Sequence, residues 1–131
     1  MRSPHQADVS APLQKADVLD SPEGNTAKAI CDLDKLIQAL LSSVPTAKPW
    51  QRQLRRQLED CDGLVQVLRI TILMERGDSE VRQAAEEVFA SLRLANTSAN
   101  AGRTDMGTRH AIKLAAVYGQ RVSDALRSKG R

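Results

Sequence analysis

Aromatic residues are nearly absent from this chain of 131 residues, which contains one Trp, one Tyr and one Phe. The faces of β-sandwiches and barrels are filled by many aromatic and β-branched side chains, so this composition argues against an all-β fold. Long apolar runs are also missing. Because a helix needs about 18 to 20 apolar residues to cross a bilayer, the sequence argues against a membrane span.

Cysteine and histidine are equally scarce. The two cysteines, Cys31 and Cys61, form no CxxC motif, and neither His5 nor His110 stands at metal-ligand spacing from a cysteine. The GxSxG, HExxH, P-loop and GxGxxG patterns are all lacking. We therefore predict no catalytic residues, no metal site, no cofactor and no small-molecule substrate, which indicates a protein that is not an enzyme. The first residues lack the apolar core of a secretory signal, so a cytoplasmic location is expected.

The net charge of +3 is unevenly distributed. Residues 101–131 contain seven cations and two anions, a net charge of +5, whereas residues 1–100 contain twelve cations and fourteen anions, a net charge of −2. A basic end on a nearly neutral body is compatible with an anionic partner such as nucleic acid. The alternative is a solvated tail that improves solubility.

Apolar residues recur at heptad spacing in four stretches, which predicts four amphipathic helices. The helices are expected from Asn25 or Thr26 to before Pro45, over 50–76, over 80–95 and over 108–127. The positions expected to face the core are Ile30, Leu33, Ile37, Leu40, Val44; Leu54, Leu58, Cys61, Val65, Leu68, Ile72; Val81, Ala85, Val88, Leu92, Ala95; and Ile112, Ala115, Val122, Leu126. The spacing continues unchanged through Gly63, which favours one unbroken second helix. Gly119 falls on the apolar stripe of the fourth helix and indicates a weak helix or an unusually close neighbour.

These patterns predict an all-α protein, in which a helical hairpin of two long amphipathic helices is joined by shorter helices. The expected organisation is a disordered N-terminal arm over 1–24, a helical core over 25–95, a polar loop over 96–104, and a basic C-terminal helix and tail over 105–131. The long second helix has more apolar length than a small monomer easily covers. A dimeric antiparallel four-helix bundle is therefore expected.

Cations on the predicted second helix are candidate ligands for nucleic acid. Arg55, Arg69 and Arg76 differ by multiples of seven and share one stripe, while Arg52 and Arg56 form an i, i+4 pair beside it. Lys48 precedes them. Because arginine binds phosphate through two parallel hydrogen bonds, a rigid helix with this pattern would suit a phosphate backbone. The alternative is a bundle flank on which the arginines pair with Glu59 or Glu75.

The order of these features resembles the nodavirus B proteins, a family of small RNA-silencing suppressors. The resemblance covers about residues 26–90. It is carried by LDKLIQAL at 33–40, the connector at 45–49, RRQL at 55–58 and VLRITILMER at 67–76. In that family an arginine in the later part of the long second helix is important for RNA contact, and Arg69 takes this position.

The resemblance implies an antiparallel homodimer with one face along double-stranded RNA, recognised by its shape and phosphates without base sequence. It further implies a viral protein in the host cytoplasm that shields long duplexes from dicing and sequesters short ones. The rival hypothesis is a helical-bundle adaptor or chaperone that binds a partner protein and no nucleic acid.

Overall fold

The structure is a computed structural model that describes residues 22–129, with side chains for residues 25–128. The N-terminal arm predicted for residues 1–24 lies outside the described residues up to position 21. Its last three residues belong to the first helix, which begins at Pro22. Proline suits the first position of a helix because its missing N–H would have no partner there.

Four helices account for nearly all of the described chain, which confirms the all-α class. They are α1 (Pro22–Ser43), α2 (Pro49–Leu73), α3 (Asp78–Ala101) and α4 (Met106–Lys129). Their lengths are 22, 25, 24 and 24 residues, so the third and fourth helices are as long as the first two.

The helices pack as a closed antiparallel ring. Each helix packs against its neighbours in the chain, and α4 also packs against α1. Within residues 22–129, no Cα atoms of α1 and α3, or of α2 and α4, lie within 8 Å of each other. The connections at 44–48 and 102–105 therefore lie at one end of the bundle, and the connection at 74–77 lies at the other. One chain thus supplies all four helices of a bundle that the sequence analysis expected two copies to build. Dimerisation stays a prediction.

The predicted apolar positions form the core. All of them are buried except Ile72, which is 38% exposed, and Leu126, which is partly buried. Ile72 is exposed because α2 ends one residue later, at Leu73, and not at Arg76 as expected. Three hydrogen bonds between backbone groups of 70–76 close this helix end, and Glu75 there adopts a left-handed φ of 53°.

The polar stretch predicted as a loop over 96–104 is mostly helical, which corrects that expectation. Helix α3 continues to Ala101, and only residues 102–105 connect it to α4. Asparagine, threonine and serine have modest helix propensity, but tertiary packing outweighs it here. Ala99 is buried in the core, and the Ser98 hydroxyl accepts a hydrogen bond from Gln57 on α2 at 3.0 Å.

The two glycines inside helices have different surroundings. Gly63 does not interrupt α2, which confirms the unbroken helix, and a Cβ placed there would meet nothing within 4 Å. A Cβ at Gly119 would lie 2.6 Å from Leu92 Cδ1 and 3.7 Å from the Phe89 Cα. Helix α4 therefore approaches α3 closely at Gly119, which is one of the two alternatives that the sequence left open.

Candidate nucleic-acid interface

Arg69, the central arginine of the predicted RNA-binding stripe, is held by a carboxylate. Its guanidinium donates to Asp34 of α1 at 2.8 Å. The other oxygen of Asp34 accepts a hydrogen bond from Gln66 at 3.0 Å, and Gln66 also donates to Asp62 at 3.1 Å. Arg69 is thus part of a polar network that joins α1 to α2, and much of its charge is neutralised inside the molecule.

Arg76 is also paired. It lies beyond the end of α2 and donates to Glu80 of α3 at 2.9 Å. The hydrogen bond and the negative charge of Glu80 raise the pKa of Arg76 above its already high value. The C-terminal part of the predicted stripe therefore consists of two arginines with carboxylate partners.

The arginines in the first turns of α2 are bound mainly by carbonyl oxygens. Arg52 donates to the carbonyls of Thr46 and Ala47 at 3.1 and 3.0 Å. Arg55 donates to the carbonyl of Leu41 and lies 3.5 Å from the exposed carboxylate of Glu59, the partner that the bundle-flank alternative named. A carbonyl oxygen orients a guanidinium but does not cancel its charge, so Arg52 retains a full positive charge at a fixed place.

Three of the predicted ligands, Lys48, Arg52 and Arg56, form no ion pair within residues 25–128. The side chains of Arg56 and Lys48 are exposed. Arg56 lies on the outward face of α2, one turn after Arg52, and Lys48 occupies the connection before the helix. The six predicted residues therefore divide by position: Arg69 and Arg76 are paired with carboxylates of other helices, and the other four lie near the 44–48 connection, where only Arg55 has a carboxylate partner within residues 25–128.

Sequence reasoning did not place two further cations beside this group. Arg103 lies in the 102–105 connection, at the same end of the bundle as 44–48, and its side chain is exposed. Arg109, in the first turn of α4, donates to the carbonyl of Thr104 at 2.9 Å. The sequence signal was the basic C-terminal region, but only the packing of α3 on α2 brings the start of that region to the end of the bundle where α2 begins.

We define the basic end as residues 41–59 and 98–111, which surround the two connections. It contains six cations and two carboxylates, a net charge of +4. The six cations are Lys48, Arg52, Arg55, Arg56, Arg103 and Arg109, and the two carboxylates are Glu59 and Asp105. The remaining side chains of 25–128 include nine cations and ten carboxylates, a net charge of −1. The positive charge of the bundle is therefore concentrated at one end.

Asp105 has a structural role in the basic end. Its carboxylate accepts hydrogen bonds from the Thr108 hydroxyl at 2.7 Å and from the Thr108 backbone N–H at 3.0 Å. These bonds cap the first turn of α4 and hold the pKa of Asp105 below its ordinary value. The carboxylate therefore orients the helix start that carries Arg109.

A second exposed feature lies on the outward face of α2, towards its C-terminal end. We define the apolar patch as Val67, Ile70, Leu73 and Met74, whose side chains are between 50% and 80% exposed. Val67, Ile70 and Met74 follow the i, i+3, i+7 spacing of one helical stripe, opposite the core-facing side of α2. An apolar stripe on the solvent side of a helix is a candidate contact surface.

Outside the basic end and the apolar patch, the described side chains offer few groups suited to catalysis or metal binding. Cys61 is fully buried beside the Ser91 hydroxyl, at 3.1 Å, and burial raises the pKa of its thiol. No group of three or more His, Cys, Asp or Glu side chains among residues 25–128 is placed to hold a metal ion.

Comparison of the chain with protein-family models, characterised proteins and solved structures finds no match. None of the helices within residues 22–129 combines the length and hydrophobicity needed to cross a bilayer.

Proposed function

We propose that this protein binds double-stranded RNA through its basic end and contacts the phosphates without reading base sequence. The observation that carries this proposal is the concentration of positive charge at the two connections, where Arg56, Arg103 and Lys48 have no carboxylate partner in residues 25–128. Phosphate contacts supply most of the sequence-independent affinity of proteins for nucleic acid.

The dimensions of the basic end suit a duplex backbone. Neighbouring helices pack about 8 to 10 Å apart, so a four-helix end is about 20 Å across. Cations from two connections and two helix starts can therefore reach phosphates on both sides of a groove. Arg52 and Arg109 are already oriented by carbonyl oxygens, which lowers the entropy lost when they bind.

Suppression of RNA silencing is the part of the proposal that rests on the resemblance to the nodavirus B proteins. A protein that covers duplex backbone without sequence preference shields long duplexes from dicing and sequesters short ones. In this proposal it acts in the host cytoplasm. Arg69 and Arg76 are not contact residues here, because each already has a carboxylate partner.

Gel shifts at several salt concentrations test the proposal with three probes: an RNA duplex of about 21 bp, the same DNA duplex and single-stranded RNA. We expect preferential binding to the RNA duplex, with log K falling by about 0.7 to 0.9 per phosphate contact for each decade of salt. Replacing both Arg56 and Arg103 by Gln should lower affinity by about tenfold and reduce that slope. Equal binding to all three probes, or none, would contradict the proposal.

A protein-interaction module is the second candidate function, and the apolar patch favours it. The same patch supports the homodimer in the first proposal, because a second copy packed there would remove it from water. The mass in solution, measured by light scattering, distinguishes a homodimer contact from a binding site for another protein. Twice the monomer mass, reduced to the monomer mass by Ile70→Asp, supports the dimer. A monomer mass leaves the patch available for an amphipathic helix of a partner.

A further inference from the structure

The end of the bundle opposite the basic end is open. A cleft of about 1430 Å³ lies there between the start of α1, the end of α2, the start of α3 and the last turns of α4. Ile30, Ile72, Val81 and Leu126 contribute its apolar walls. Ile72 is 38% exposed although it continues the core-facing row of α2, so the core is incompletely covered at this end.

The rim of the cleft carries charges of both signs that lack ion-pair partners within residues 25–128. Neither Arg82 nor Arg121 forms an ion pair there, and the Arg121 guanidinium lies over the Tyr118 ring, 5.9 Å from its centroid. Glu75 and Asp78 likewise have no cationic partner among those residues. A simple anion or cation would satisfy only half of this rim, whereas a peptide with both kinds of charge could satisfy all of it.

Such a peptide immediately precedes α1. The segment LQKADVLD at 13–20 contains Leu13, Val18 and Leu19, together with one lysine and two aspartates. It ends two residues before Pro22, and the first described turns of α1 themselves line the cleft. A tethered segment has an effective concentration in the millimolar range, so even weak contacts are sufficient for occupancy.

We propose that residues 13–20 of this chain occupy the cleft, with Leu13, Val18 and Leu19 against its apolar walls. Asp17 and Asp20 then face Arg82 and Arg121, and Lys15 faces Glu75 and Asp78. The occupied cleft completes the core at the end of the bundle that does not carry the basic charge. The proposal does not depend on RNA binding, since it uses none of the cations of the basic end.

Hydrogen exchange on the full chain tests this proposal. The variant Leu13→Ser/Val18→Ser/Leu19→Ser is compared with the unchanged chain and with Val9→Ser, a control outside the segment. We expect amides of 25–32, 72–82 and 118–126 to exchange about tenfold faster in the triple variant, and amides of 44–58 to be unaffected. Identical exchange in all three proteins would overturn the proposal. Protection that depends on protein concentration and not on the triple substitution would overturn it in favour of a second copy.

A charge exchange provides a test that is independent of apolar contacts. Asp17→Lys/Asp20→Lys and Arg82→Glu/Arg121→Glu should each accelerate exchange around the cleft. Combining all four substitutions should restore at least half of the lost protection, because the opposite charges face each other again. Simple addition of the two losses would show that the segment does not lie against this rim.

Discussion

The guanidinium of Arg69 donates to the Asp34 carboxylate at 2.8 Å and thereby joins the C-terminal half of α2 to the middle of α1. The pair is only partly buried, with 45% of the arginine and 20% of the aspartate side chain exposed. Residues 34 and 69 are far apart in the chain, and no sequence pattern associates them. Their contact bears on the interpretation of α2, because the arginine in the middle of the expected RNA-binding row binds a carboxylate of the neighbouring helix.

Arg69→Gln should therefore lower stability slightly and leave RNA affinity unchanged. Partly exposed ion pairs contribute about 0.5 kcal/mol, so the free energy of unfolding in urea should fall by about that amount. Arg56→Gln is the matched control, since it removes an unpaired arginine from the same helix and should weaken RNA binding without changing stability. If Arg69→Gln weakens RNA binding as much as Arg56→Gln, the basic end is not the binding site.

Alanine at the two helical glycines should have opposite effects. Gly63→Ala adds a methyl group in open space and removes the poor helix propensity of glycine, so stability should rise by about 0.5 to 1 kcal/mol. At Gly119 the same methyl group would lie 2.6 Å from Leu92, which is fully buried and has little room to move. Gly119→Ala should therefore cost about 1 to 3 kcal/mol. Urea denaturation of both variants measures the difference.

Glycine at position 75 should make the folded protein more stable than glutamate does. Glu75, two residues after the end of α2, has a φ of 53°, a left-handed conformation that costs a residue with a Cβ about 1 kcal/mol more than glycine. Glu75→Gly should raise the melting temperature. Glu75→Ala is the control, since it removes the same carboxylate and keeps the Cβ. A melting temperature raised equally by both would assign the effect to charge.

The two thiols should react at very different rates in the native protein. Cys31 is exposed on α1, whereas Cys61 is fully buried and has a raised pKa because of burial. A chromogenic disulfide reagent at pH 8 should titrate one thiol per chain rapidly, and the second only in denaturant. Cys31→Ser should abolish the rapid phase. Rapid reaction of two thiols in the native protein would show that the packing of α2 on α3 opens readily.

The Asp105 cap should give a pH-dependent contribution to stability. Because the folded state holds the pKa of Asp105 below its ordinary value of 3.8, the stabilisation is complete above that pH. It is lost as the pH falls through the lower, folded-state value. The melting temperature of Asp105→Ala should therefore be lower than that of the unchanged chain at neutral pH, and the gap should narrow below pH 3.8. Asp105→Asn keeps a capping oxygen and should retain most of the difference without the pH dependence.

The periodicity of apolar residues was sufficient to predict the helical core. Local spacing determines which side of a helix is apolar, and Leu33, Leu58 and Leu92 are all fully buried as expected. The length of α3 was not predictable from local propensity, because Gln57 of α2 and the core around Ala99 stabilise its polar last turns. Ion pairs between helices were not predictable either. They depend on which helices become neighbours, as Arg69 and Asp34 show.

The candidate site was predicted only in part, because its local cations are visible in the sequence and its long-range neighbours are not. Lys48, Arg52 and Arg56 belong to one local stretch and remain together, whereas Arg103 joins them only through the packing of α3 on α2. A stripe on one helix is visible in a sequence. A cluster formed by two connections from distant parts of the chain requires the topology.

Within residues 25–128, the concentration of positive charge at one end gives the bundle an electric dipole moment along its long axis. With helices of about 24 residues, the two ends are separated by about 36 Å. In the field of a polyanion such a molecule turns its two connections towards the polymer before contact, which speeds productive encounters at low ionic strength. Under the proposed function, a molecule that binds through one end covers few base pairs, so many copies could bind side by side along one duplex.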